Sequence, residues 1–394
     1  MGTDSDEDQH RWRNLALIWL LYFSFGMVIR AIAPLVTPIL KDLQLSYTQM
    51  GFILGSWQLT YIMTAMLAGT IIDQWGVRKS LMAGTIVIAL SSALRYFPKS
   101  FEGMLGAVLL FGAGGSMISV GCPKAIFLWF TEKNRGTAVG IYLTGAWLGG
   151  IFALTCTNSL IMPLMGQSWR YTFAFYGLFT FMTGLLWWFL VREKEIRGGR
   201  KEAGVVEVFC RLIRVRNVRV VLTLGFFSFV IIHGFSNWLP KFLEINGLSP
   251  SLAGVMAAVS LAAGVPALLI IPRLIPAASR RRFLALSTLL TMVSLIIVFA
   301  TSGILQLMGL VLFGFITSPI VSILTLILMD TPQVGSEAMG SAVGMFFCIA
   351  EIGGFTGPLI IGALIDFTGA FLSGTILLVI LCLVFSGLTF LLRT

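Results

Sequence analysis

The sequence predicts an all-α membrane protein of twelve transmembrane helices, built as two six-helix halves repeated in parallel. Three observations predict it. Of 394 residues 57% are apolar and only 11% charged, with a mean hydropathy of +0.93. A soluble domain carries about 25% charged residues, so the competing reading, a water-soluble protein with very large cores, leaves its surface uncovered. Apolar stretches of about 18 residues or more, long enough to cross the hydrocarbon core, succeed one another along the chain. Finally, short motifs recur at one offset between the two halves.

The spans fall at roughly 14–40, 47–72, 79–98, 102–130, 136–162 and 169–191, then at roughly 219–242, 250–272, 283–301, 304–329, 336–364 and 369–391. Turn and charge clusters separate them: Lys41-Asp42, Asp73 to Lys79, Pro98-Lys99-Ser100, and Glu132 to Arg135. The organisation read from this is a tail at 1–13, a first bundle at 14–191, a basic linker at 192–218 and a second bundle at 219–394. The acidic-then-basic start runs straight into a segment too long for a signal peptide core. Its Met-Gly resembles half of a myristoylation motif, which would add little to twelve spans. Cys122, Cys156, Cys210, Cys348 and Cys382 are scattered, a spacing that suits neither a metal site nor a disulfide framework. No metal and no cofactor are expected.

Lys and Arg set the orientation. With the N-terminus inside, 20 of the 27 basic residues are cytoplasmic. Nine of them lie between Arg192 and Arg219, and the others are Arg11, Arg13, Arg78, Lys79, Lys133, Arg135, Arg273, Arg280, Arg281, Arg282 and Arg393. The far side receives Lys41, Arg95, Lys99, Arg170 and Lys241, and Arg30 and Lys124 remain within the membrane. The expected topology is N-in, C-in, in the cell (inner or plasma) membrane. The net charge of +10 is accounted for by lipid headgroups at helix ends, and no nucleic-acid partner is expected.

The repeat is specific. Leu45-Ser46 and Gly51 recur as Leu248-Ser249 and Gly254, Gly136-Thr-Ala-Val-Gly140 as Gly340-Ser-Ala-Val-Gly344, Gly149-Gly150 as Gly353-Gly354, and Arg78-Lys79 as Arg281-Arg282. The offset is 203 or 204 throughout, and each motif occupies the corresponding place in its half. Parallel six-span repeats are a transporter architecture, with substrate held near the midplane.

Over nearly its whole length the chain resembles a major facilitator superfamily transporter. Gly69-Thr-Ile-Ile-Asp73-Gln-Trp-Gly76-Val-Arg78-Lys79 is similar to the superfamily's loop 2–3 signature, departing from it at Gln74, where a basic residue is common. In the second half Pro276 stands where the aspartate would be. Trp129-Phe130 with Lys133 to Gly136, and Trp169-Arg170, resemble further signatures. Arg30-Ala-Ile-Ala-Pro34 and Gly353 to Pro358 with Asp366 and Gly369 are similar to the anion-transporting branches: anion:cation symporters, cyanate-type permeases and monocarboxylate carriers. Nitrate-porter signatures do not match well. The resemblance implies that Gly69, Asp73, Gly76, Arg78 and Lys79 form a conformational latch, Asp73 accepting from helix N-termini and pairing with Arg78. The alternative is an ordinary solvated charge cluster.

Ionisable groups inside the membrane are costly and therefore functional candidates. They are Arg30, Lys124, His233 and Glu351. Adding 203 to Arg30 gives His233, so the two hold equivalent positions in spans 1 and 7; in the facilitator fold those spans line the central cavity from opposite halves. A guanidinium presents a fork suited to a carboxylate or other oxyanion. Arg30 is therefore the candidate anion ligand, unless it pairs with Glu351. Lys124 is a second cation, or a snorkelling one that meets carbonyls freed by Pro123. His233 and Glu351 are the candidates for proton coupling, an imidazole titrating near 6.5; His233 can equally be structural. Tyr61, Tyr142 and Asn237 complete the candidate substrate site, with Gln58 and Trp238 beside them, although each of these also suits helix packing.

The function expected is secondary active transport of a small anion, foremost a carboxylate, by alternating access and with protons, the protein acting as a monomer in the bilayer. The alternatives within the superfamily are a drug or lipid exporter and a cyanate- or nitrate-type inorganic anion permease. No nucleophile or metal constellation supports an enzyme, and no phosphate-binding loop supports ATP-driven transport.

Overall fold

The computed structural model describes residues 3–191 and 205–392. Span 1 is α1 (Thr3–Arg30), a 3-10 turn (Ala33–Leu35) and α2 (Val36–Leu43). It breaks just after Arg30 because Pro34 has no N–H to return to the Arg30 carbonyl. Next come α3 (Tyr47–Trp75), α4 (Val77–Leu94), α5 (Phe101–Trp129) and α6 (Glu132–Cys156). A π turn over Thr157–Ile161 joins α6 to the short α7 (Met162–Leu164), and α8 (Trp169–Leu190) follows. Ser100, read as part of a separator, is an N-cap, and so is Ser168: Ser100 Oγ accepts from the Gly103 N–H and Ser168 Oγ from the Tyr171 N–H.

Residues 192–204 of the expected linker lie outside the described residues, and its remainder forms α9 (Val205–Leu212), a turn and the first residues of the next helix. The second series is α10 (Arg216–Ile245), α11 (Pro250–Leu274), α12 (Arg280–Ala300), α13 (Gly303–Thr317), α14 (Ile320–Met329), α15 (Gly335–Thr368) and α16 (Phe371–Thr389). The single stretch expected at 304–329 is therefore two helices, parted at Ser318-Pro319, where proline interrupts the backbone ladder. Among the described residues eleven helices are long and apolar enough to cross a membrane, and α3, counted as one bent span, makes twelve.

The chain forms two compact units. The first comprises Met1–Leu45, Ser56–Gly199 and Ser249–Gly254; the second comprises Ser46–Gly55, Arg200–Leu248 and Val255–Thr394. In the first unit α1 packs on α6, and α4 on α5 and α8. In the second, α10 packs on α15, and α12 on α13 and α16, which is the same pairing one repeat later.

One repeat-related pair of glycines, Gly149 and Gly353, sits where these helix pairs touch. A Cβ on Gly149 would fall well under 3 Å from the Phe23 carbonyl oxygen, and one on Gly353 equally close to that of Phe226. Phe23 and Phe226 are themselves 203 residues apart. Glycine is the residue that lets two helix backbones approach this closely.

Candidate functional site

Arg30 is the last residue of α1, half-buried, at the break in span 1. Among the described residues its guanidinium has no ion pair, side-chain hydrogen bond or stacked ring. The broken backbone around it is held from two directions. Arg95, only 1% exposed, donates from Nη1 to the Val28 carbonyl (3.4 Å) and from Nη2 to Ser91 Oγ (3.2 Å), over the Phe173 ring at 5.2 Å. Asn158, in the π turn, donates from Nδ2 to the carbonyls of Pro34 (2.9 Å) and Pro250 (3.3 Å).

Neither residue was legible as part of the site. Arg95 reads in sequence as a loop charge at the end of span 3, yet it is buried between α1, α4 and α8. The available signal was its place within the expected span 79–98. Asn158 carries no charge and its π turn has no sequence mark.

Lys124 does not join Arg30. It is ion-paired with Asp73, near the C-terminal ends of α5 and α3, with side chains 24% and 53% exposed. This corrects two expectations, that Lys124 helps Arg30 at the substrate or snorkels to carbonyls freed by Pro123, and that Asp73 pairs with Arg78. Arg78 instead donates to the Trp188 carbonyl and lies 4.6 Å from the centre of its ring. Gly76 has φ 84°, in the region that glycine favours, and forms the N-cap of α4. In the second unit, where the signature lacks its aspartate, Arg280 is ion-paired with Asp330.

Helix register places the remaining candidates by height. Along α1 and α6 the close contacts are Trp19 with Gly145 and Phe23 with Gly149, an offset of 126, and Gly26 with Ala146, an offset of 120. Arg30 is thus level with residues 150–156 of α6, and Tyr142 with residues 16–22 of α1, eight to fourteen residues or ~12–21 Å of helix away from Arg30. Tyr142 is buried and its ring meets Tyr22 edge-on at 5.2 Å. Tyr61 bonds Ser119 Oγ (2.9 Å) and packs edge-on against Trp57.

In the second unit the contacts Phe226–Gly353, Val230–Gly357 and Gly234–Ile361 give an offset of 127, Gly234–Gly357 one of 123 and Gly225–Phe346 one of 121. Glu351 is therefore level with residues 224–230, three to nine residues or ~5–13 Å of helix from His233. His233 is half-buried and stacked on Phe229 at 5.3 Å. One turn on, Asn237 is buried, and its Nδ2 has no hydrogen-bond partner among the described residues. Trp238 Nε1 donates to the Pro358 carbonyl at 2.9 Å. Glu351 is 8% exposed, and its Oε2 is likewise without a partner among the described residues. His233 and Asn237 thus share one stretch of α10, and Glu351 stands on α15, which packs against α10, level with an earlier part of that helix.

Among the described residues no cluster of three or more His, Cys, Asp or Glu side chains could hold a metal ion. The arrangement is a set of separated polar groups in apolar helices, suited to binding and gating. Residues 18–358 match the family model of the Major Facilitator Superfamily. The chain belongs to the Major Facilitator Superfamily. It is a multi-pass membrane transporter and not an enzyme.

The chain is 26% identical over 361 residues to a hexuronate transporter of Bacillus subtilis (strain 168), covering 86% of this chain and 83% of that one. It is 22% identical over 374 residues to a 3-(3-hydroxy-phenyl)propionate transporter of Escherichia coli (strain K12), covering 92% and 89%. Over 264 residues it is 24% identical to a probable nitrate/nitrite antiporter of Thermus thermophilus, covering 64% and 59%. Among solved structures, a bacterial homolog of the human lysosomal transporter Spinster superposes with a TM-score of 0.82 at 17% identity, covering 97% and 96%. At these identities the structural likeness shows the fold. Within the superfamily, the resemblance read from Arg30 and from Gly353 to Pro358 agrees with relatives whose names are those of anion transporters.

Proposed function

We propose that this transporter carries a small anion, foremost an organic carboxylate, by alternating access, with Arg30 as its anionic anchor and with N- and C-termini inside. The observation that carries the reading is the state of Arg30. Lys124 and Arg280 have carboxylate partners, Arg170 is paired with Asp42, and Arg78 and Arg95 are bonded to carbonyls. Of these cations Arg30 alone has no protein partner among the described residues. A guanidinium so placed is costly unless an oxyanion completes it. The relatives support the class: uronates and a phenylpropionate are carboxylates, and nitrate is an oxyanion of similar hydrogen-bonding demand.

Alternating access is supported by unequal glycine contacts. Gly51 meets the Pro358 carbonyl and Gly254 the Leu154 carbonyl, a repeat-related pair of contacts that leave no room for a Cβ. Gly69, Gly136, Gly140, Gly340 and Gly344 have nothing within 4 Å of where a Cβ would stand. The second set reads as contact surface for a state in which the first has opened. Proton coupling through Glu351 rests on its buried carboxyl with an unpartnered oxygen; His233, stacked and part of the Asn237 stretch, is assigned to the substrate side.

The test is a thermal-shift and uptake screen of mono- and dicarboxylates, uronates and nitrate on the wild type, Arg30→Ala and Arg30→Lys. Anion responses should vanish in Arg30→Ala and weaken in Arg30→Lys, which keeps the charge but loses the fork. Responses unchanged in Arg30→Ala would overturn the site. For coupling, Glu351→Gln should abolish pH-driven accumulation while sparing exchange; unchanged pH-driven uptake would remove Glu351 from that role.

A further inference from the structure

Lys79 belongs to the loop signature yet takes no part in the contacts that Asp73, Lys124 and Arg78 make. It is exposed, and among the described residues it has no ion pair or hydrogen bond. It stands instead at the mouth of a groove of about 520 Å³ in the first unit, formed by the end of α3, the first turns of α4 and the last turn of α8.

The groove has a polar end and an apolar body. Lys79, Met82, Ala83 and Ile86 follow one another at helical spacing down one face of α4, so a single ammonium heads an apolar stripe. Lys79 is the third residue of α4, and Gly76 offers the N-terminal N–H groups no side-chain cap, so the positive end of the helix lies at the same level. Two indoles, Trp75 and Trp188, flank the stripe. Trp75 is 52% exposed, whereas Trp188 is fixed by Arg78, which holds its carbonyl and stacks on its ring. Tryptophans at helix ends mark the headgroup level of a bilayer, and basic pockets between transmembrane helices at that level take anionic headgroups.

We infer that this groove is a binding site for one anionic glycerophospholipid, its phosphate beside Lys79 and an acyl chain along Met82, Ala83 and Ile86 between the two indoles. A soluble anion would use the ammonium but leave the apolar stripe bare. A zwitterionic lipid would cover the stripe but set its own cation against Lys79. The site is separate from Arg30 and does not depend on which anion is transported.

The test is native mass spectrometry of the full-length protein, released from detergent after equilibration with equal amounts of phosphatidylglycerol and phosphatidylcholine of matched chains. The wild type should retain one phosphatidylglycerol in preference to phosphatidylcholine. Lys79→Gln should lower that retention about fivefold, the worth of one lysine at a membrane surface. Ala83→Phe, which fills the stripe and leaves the charge, should lower it as well, with melting temperatures recorded for both. Lys99→Gln, at an exposed loop lysine, should change nothing. Equal retention of the two lipids by the wild type would overturn the site. So would equal losses in Lys79→Gln and Lys99→Gln, which mean a diffuse charged annulus. Displacement of the lipid by inorganic phosphate alone, or full retention in Ala83→Phe, would also overturn it, leaving a headgroup-sized anion site.

Discussion

Lys124 is ion-paired with Asp73, and that pairing moves a cation from the expected substrate site to the loop signature. Both side chains are partly exposed, and such pairs contribute only ~0–1 kcal/mol to stability. Lys124→Gln and Asp73→Asn should therefore melt within a few degrees of the wild type. Both should lower transport turnover while leaving the half-saturating anion concentration nearly unchanged. The double variant should be no worse than the poorer single one, because each removes the same interaction. A large rise in half-saturating concentration for Lys124→Gln, with turnover intact, would return Lys124 to the substrate.

Arg95 calls for the opposite result. Its guanidinium is fully buried and joins the Val28 carbonyl, Ser91 Oγ and the Phe173 ring, so truncation leaves both a cavity and unpaired acceptors. Arg95→Ala should cost ~3 kcal/mol or more, read as a large drop in melting temperature. Lysine cannot make both contacts at once, so Arg95→Lys should recover only part of the loss. A melting temperature unchanged in Arg95→Ala would show that these contacts do not hold the end of α1.

These two residues also show what sequence could carry. Twelve spans, the six-plus-six repeat and the family were legible, because apolar length and a fixed offset are properties of the chain alone. The equivalence of Arg30 and His233 followed from the same offset. Height within the bundle did not, since it depends on which neighbour lies beside each helix end: α3 runs past the expected 72 to Trp75 and brings Asp73 to Lys124. The depth of Arg95 was hidden for the same reason, being set by α1 and α8 packing across the end of α4. The repeated glycines were visible as a pattern, but whether a glycine touches a neighbour is a tertiary fact.

That difference among glycines can be measured. Gly353→Ala would drive a Cβ into the Phe226 carbonyl, and overpacking of this kind costs ~1–3 kcal/mol. Gly340 and Gly344 have open space around them. Alanine there should raise helix stability by ~0.5–1 kcal/mol. If these positions are contact surface in a second state, Gly340→Ala and Gly344→Ala should keep or raise the melting temperature and still slow transport. Full transport in both variants would show that no close contact forms there during the cycle.

Asp366 supplies the last prediction. In the final turn of α15 its carboxylate accepts from the backbone N–H groups of Tyr47 (2.9 Å) and Thr48 (2.7 Å) and from Thr48 Oγ1 (2.6 Å). It therefore caps α3 from another helix, and Gly51 and Gly362 let the two backbones close below it. An anion at a helix N-terminus serves both the dipole and the free donors. Asp366→Asn removes the charge and one acceptor, a loss of ~1 kcal/mol, which moves a two-state equilibrium about fivefold. If the docked turn must release for the carrier to open, Asp366→Asn should populate the released form. Met50, fully buried beside this contact, is the reporter: a cysteine placed there on a cysteine-free background should react with maleimide about fivefold faster in Asp366→Asn. Thr48→Ala, which spares both backbone bonds, should give a smaller increase. Labelling of Met50→Cys at the same rate with and without Asp366→Asn would show that the cap holds a permanent joint rather than a gate.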